Sequence, residues 1–219
     1  MRRAGAACSV ISAIAFVVGI IALLQAEGPS SPDLLVYLAS PSGQSDFLLA
    51  VDALTVAVVL FMAGTVVVCW TIGAERRLHA VLVGALVVAA VPAFIGFLSL
   101  QFALVGTLRE GIDPNSVTFK AQVLQAHAAA DWAGWTGIVM MSVALLLIGA
   151  ALFADPRRRL ATWTAIACGV LGIILVPIGF GFLFTLLLAV WQLVAAADLV
   201  LFGGTPRRPS VAATEGTAG

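Results

Sequence analysis

Charge is what this sequence has least of. Only 10% of its 219 residues are Asp, Glu, Lys or Arg, against roughly 25% in an ordinary soluble domain. A soluble chain so poor in charge would lack the polar surface to cover itself. That shortage excludes an ordinary soluble enzyme, a disordered chain and a nucleic-acid binder, the last of which needs clustered basic residues against phosphate. Lysine occurs once, as Lys120, and histidine twice, as His79 and His127.

Cysteine is also scarce. Cys8, Cys69 and Cys168 are an odd set without a CxxC, each inside an apolar run, which argues against a disulfide framework or a cluster site. Gly5-Ala6-Ala7-Cys8 is not a lipidation site, because the hydrophobic stretch follows the cysteine. There is no phosphate-binding loop, dinucleotide fingerprint, nucleophile elbow or HExxH, so no cofactor is expected and an enzyme is disfavoured. No metal is expected either. His127 and Asp131 stand at i, i+4, but two ligands do not make a zinc site.

What is present is apolar sequence: 62% of the residues are hydrophobic and the mean hydropathy is +1.12. This is the composition of an all-α integral membrane protein. A spanning helix takes about 20 apolar residues. Six stretches meet that length, at about 6–24, 47–72, 78–105, 132–153, 160–176 and 182–202. Residues 25–46 read as an acidic, Pro-rich, largely non-helical loop, in which Leu34–Leu38 is too short to span. Pro92 should kink the third span.

Asp113-Pro114 reads as a turn, with Asn115 or Ser116 capping a new helix. From there 117–131 forms an amphipathic external helix leading into the fourth span. Lys120, Leu124, His127 and Asp131 fall on one face, and Phe119, Val123, Ala126 and Ala130 on another. Pro177–Gly181 is the only breaker in the long apolar stretch 160–202, so a tight hairpin is expected there. Residues 205–219 read as a disordered cytoplasmic tail.

The basic residues set the orientation. Arg2-Arg3, Arg76-Arg77, Arg157–Arg159 and Arg207-Arg208 all fall on one side of a six-span arrangement. The other side holds Arg109 and Lys120 against Glu27, Asp33, Asp46, Glu110 and Asp113. The positive-inside rule then puts both termini in the cytoplasm. Leu24-Gln25-Ala26 is a poor cleavage site, which favours a retained first span; cleavage would leave the orientation of the rest unchanged. Arg usage with almost no Lys associates the chain with a bacterial cytoplasmic membrane.

Ionisable groups within spans are costly and default to functional hypotheses. Asp52, Gln101, His127 and Asp131 share one depth near the outer face. Together they form a candidate outward-facing polar pocket, rimmed by Trp132 and Trp135, for a proton, a cation or another solute. The competing reading places Asp52 in hydrated contact with Lys120 or Arg109 and Asp131 at the water boundary. Asp198 is expected to pair with one of the inner arginine clusters, and Gln192 to hydrogen-bond another helix. Gly134, Gly137, Gly169 and Gly172 suit close helix packing. Val91–Leu98 and Val176–Leu183 are similar in sequence and could mark an internal repeat.

Within His127–Phe202, the external His127, the Asp131-Trp132 helix start, Pro156 with its basic neighbours, and the Gly-rich penultimate span resemble a domain-of-unknown-function family of small six-helix bacterial membrane proteins. The resemblance covers about a third of the chain. It implies a six-helix membrane protein and carries over no functional residues.

Three functions follow in order. The first is an accessory or scaffold subunit, associating in the lipid bilayer with other membrane subunits or as a homo-oligomer. The second is a small transporter or receptor for a lipophilic or cationic solute, working through the polar pocket. The third is a membrane enzyme.

Overall fold

The structure, a computed structural model, describes residues 1–26, 41–73, 76–109, 113, 116–178 and 183–202. Among them are six α-helices: α1 (Arg2–Ala26), α2 (Pro41–Gly73), α3 (Arg77–Arg109), α4 (Val117–Leu152), α5 (Arg159–Leu175) and α6 (Leu183–Leu201). A single 3-10 turn, Pro156–Arg158, joins α4 to α5. Each helix, α5 together with the 3-10 turn before it, includes a segment long and apolar enough to cross a membrane.

Helix α2 is longer than the hydropathy pattern suggests. Pro41–Asp46 belong to α2, since proline costs nothing in the first turn, where its missing N–H would have had no partner. Helix α4 runs unbroken from the polar segment into the span. Ser116 is its cap: the side-chain oxygen accepts from the Phe119 amide at 3.2 Å. Phe119 and Ala130 are buried while Lys120 and Leu124 are exposed. The expected surface segment 34–38, the tail 205–219 and the tip of the 177–181 hairpin lie outside the described residues.

Helices adjacent in sequence pack side by side, and α6 returns to pack against α1, closing a ring. Helix α2 also touches α4 and α6 across the centre. Each helix buries one stripe at helical spacing. In α6 the stripe is Phe184, Leu188, Trp191, Ala195 and Asp198; in α3 it is Val83, Val87, Ala90, Phe94 and Leu98.

Glycines set the closeness of several contacts. A Cβ on Gly5 would lie 2.7 Å from Val67, and one on Gly19 would lie 2.7 Å from Leu54. On Gly169 it would lie 2.7 Å from the Ser142 carbonyl oxygen, and on Gly137 3.1 Å from the Phe94 ring. Between these points Phe16 and Phe61 meet edge to face at 6.3 Å, and Ser12 donates to the Ala57 carbonyl at 2.8 Å.

The arginine-rich termini converge at one end. Gly5 lies on Val67, Arg76 donates to the Ala150 carbonyl at 3.4 Å, and Arg158 bonds Asp198. This basic end of the bundle therefore collects the start of α1, the α2–α3 and α4–α5 turns and the end of α6. Helix lengths then diverge. At 1.5 Å per residue α4, with 36 residues, is about 54 Å long, whereas α5, with 17, is about 26 Å. Helices α2, α3 and α4 consequently project beyond α5 and α6 at the opposite end.

The two similar segments have different structural roles. Val91–Leu98 sits inside α3, whereas Val176–Ile178 leaves α5 for the turn before α6.

Candidate functional site

Asp52, Gln101, His127 and Asp131 occupy one layer of the bundle. Counted along their helices from Ile72, Arg77 and Leu152, they lie about 20–25 residues, or roughly 30–38 Å, from the basic end. That is close to the thickness of a hydrocarbon core.

Two of the four side chains, those of Asp52 and Asp131, are described. Asp52 is exposed on the same stripe of α2 as Leu49 and Val56, which are 54% and 49% exposed. The buried stripe of α2 is Phe47, Ala50, Leu54, Ala57 and Phe61, so Asp52 points away from the centre where α2 meets α4. Asp131 is half-buried beside buried Ala130. The side chains of Gln101 and His127 lie outside the described residues. Trp132 and Trp135 stack edge to face at 5.4 Å at this level. Among the described residues no three His, Cys, Asp or Glu side chains converge.

The polar groups inside the ring are elsewhere. Near the basic end, Nε of Arg158 donates to both carboxylate oxygens of Asp198 at 3.0 Å, and Nη2 donates to Oδ2. Both residues are buried. The Arg158 carbonyl accepts from Thr162 at 3.0 Å, fixing the first turn of α5. Of the inner arginines, Arg158 is thus the partner of Asp198.

Further into the ring, Ser9 of α1 and Gln192 of α6 converge on Gly64 of α2. A Cβ on Gly64 would collide with Ser9 Oγ and lie 3.1 Å from Gln192 Oε1. The bare glycine is therefore what admits both polar groups. Both residues are fully buried, yet among the described residues neither the Ser9 hydroxyl nor either amide atom of Gln192 has a hydrogen-bond partner. The hydrogen bond expected of Gln192 is not made: the two groups approach one bare Cα without aligning donor to acceptor. Thr65, Ser142 and Trp191 also bury unpartnered polar atoms.

Ser9 and Gly64 were not singled out by the sequence pattern, and Arg158 was expected only as one member of the inner arginine clusters. A signal for Ser9 was present: Gly5, Ser9, Ser12 and Gly19 follow at steps of four, three and seven, as a helix-packing face does.

Among the described residues, one helix face is left uncovered. On α3, Ala85, Ala89, Pro92, Gly96, Ser99, Ala103 and Gly106 recur at alternating steps of four and three. All but half-buried Gly96 are exposed. A Cβ added to Gly84, Gly96 or Gly106 would meet nothing within 4 Å, whereas at Gly5, Gly19, Gly64, Gly134, Gly137, Gly149, Gly169 and Gly172 it would press on a neighbouring helix. The spans of the other five helices are all more buried than that of α3.

Comparison with protein families, with known proteins and with solved structures yields no match.

Proposed function

We propose that the protein is a multipass membrane protein of the bacterial cytoplasmic membrane, with its arginine end and both termini in the cytoplasm, serving as an accessory or scaffold subunit. The uncovered face of α3 carries this reading. In a bilayer, helices associate through small residues that let backbones approach, since lipid supplies no hydrophobic drive between them. Seven small or unbranched positions at a 3.5-residue repeat, with glycines packing on nothing among the described residues, suit a helix supplied by another subunit or a second copy.

Pro92 strengthens the argument. It has no N–H, so the Val88 carbonyl loses its helical donor on a face where Val88 is 59% exposed. Such backbone groups are tolerated at membrane depth where protein covers them. The ionisable pair inside the ring, Arg158–Asp198, is consumed in holding α5 to α6, and the core is filled by Phe61, Trp191, Phe184 and Leu145.

A second reading, a transporter or receptor for a lipophilic or cationic solute, draws on the common depth of Asp52, Gln101, His127 and Asp131 and on half-buried Asp131. The two readings separate experimentally. Mild detergent extraction of the full chain from its membrane should release it in a complex or oligomer. Release of a lone chain that binds cationic solutes would favour the second reading instead.

A further inference from the structure

We infer that the groove between the start of α1 and the last two turns of α2 is a binding site for the headgroup of an anionic phospholipid. The groove has a volume of about 100 Å³ and is lined by Met1 and Arg2 from α1 and by Val66, Val67, Trp70 and Thr71 from α2. The inference rests on the membrane reading above, which puts the basic end at a lipid surface.

The lining divides by chemistry. Arg2 is the one charged side chain in it, and it is exposed, so its guanidinium is free to donate to a phosphate in the forked geometry that suits this group. The first amides of α1 lie at the same place, since helical bonding begins with the Gly5 amide on the Met1 carbonyl at 2.9 Å; their dipole favours an anion. Thr71 adds no donor, because its hydroxyl is given to the Val68 carbonyl at 2.7 Å.

The other wall is apolar and open. Trp70 is 72% exposed, and an indole at that level sits among lipid headgroups. Deeper along the same outward stripe of α2, Val66 and Val59 are 48% and 43% exposed. They continue the groove as an aliphatic track for an acyl chain. A free inorganic anion would use the first part and not the second.

Charge complementarity selects the lipid. The basic end gathers Arg2, Arg3, Arg76, Arg77, Arg157, Arg158 and Arg159. The described carboxylates there are Asp155, which accepts from the Arg157 amide, and Asp198, which is taken by Arg158. The excess cations face the surface potential that an anionic leaflet provides. Gly5 holds α1 so close to Val67 that the two walls of the groove stay a fixed distance apart.

The test uses the full chain in mixed micelles holding equal amounts of phosphatidylglycerol and phosphatidylcholine, with bound lipid counted by native mass spectrometry. The expected result is a retained phosphatidylglycerol in preference to phosphatidylcholine. Arg2→Gln should lower that preference about fivefold, equivalent to the roughly 1 kcal/mol one basic residue contributes at an anionic surface, and Trp70→Ala should lower retention of both lipids. Arg157→Gln, at the same end but outside the groove, removes only its share of the surface potential and should lower the preference less than Arg2→Gln. Equal losses for Arg2→Gln and Arg157→Gln, no preference in the parent chain, or displacement of the lipid by millimolar inorganic phosphate would each overturn the site. Resistance of the membrane-bound chain to alkaline carbonate reports separately on insertion, so failure of the groove and failure of the membrane reading are distinguishable.

Discussion

Arg158 and Asp198, 40 residues apart in sequence, form a bidentate ion pair buried between the α4–α5 turn and the end of α6. Among the described residues these two are the buried charges of the bundle. Removing one partner leaves an uncompensated buried charge, which costs about 3–5 kcal/mol, whereas replacing both with apolar residues of similar volume is often neutral. Asp198→Ala should therefore lower the thermal midpoint in detergent far more than the double variant Arg158→Met, Asp198→Leu. A double-mutant cycle with additive effects would show the pair is not coupled.

The glycines divide into two groups with opposite expectations. Gly169→Ala drives a Cβ against the Ser142 carbonyl, a backbone atom that cannot swing aside; such overpacking costs about 1–3 kcal/mol. Gly84→Ala enters open space and should stay within about 0.5 kcal/mol of the parent or gain slightly from helix propensity. Unfolding of the two variants in the same detergent measures the difference.

The cluster at Gly64 predicts an unusual tolerance. Buried polar groups without partners cost free energy, so replacing them with apolar groups of like shape is neutral or stabilising. Ser9→Ala and Gln192→Met should leave the melting temperature unchanged or raise it. A loss of about 1 kcal/mol or more in either would reveal a hydrogen bond.

For the layer of Asp52, Gln101, His127 and Asp131, the variant of interest is the double change Asp52→Asn, Asp131→Asn. With an accessory subunit, complex retention after extraction is unaffected by it. A solute-binding protein would lose binding or its pH dependence. Equilibrium binding of a lipophilic cation, measured beside complex retention, separates the outcomes.

The fold was legible because hydrophobic length is a strong signal. Six long apolar helices, the continuation of 117–131 into α4 and the break at Pro177 all follow from where apolar runs stop. The rotation of each helix about its axis was not legible. In a span both faces are apolar, so hydrophobicity does not say that Asp52 stands on the outward stripe of α2 or that Gln192 faces Ser9. Side-chain size carries that information instead: small residues mark contact, as at Gly5, Gly19 and Gly169. The pairing of Asp198 with an inner arginine could be expected from helix ends alone. The choice of Arg158 depends on the 3-10 turn Pro156–Arg158, capped by Asp155, which turns that one side chain inward.

The account turns on the outward face of α3, and Gly96→Leu tests it most directly. A Cβ added there meets nothing within 4 Å among the described residues, so the fold should be little disturbed. Particle size and composition after mild detergent extraction should change from a complex or oligomer in the parent to a lone chain in the variant, with the thermal midpoint of the bundle unmoved. A variant that keeps its complex intact, or a parent that extracts as a lone chain, would contradict the account.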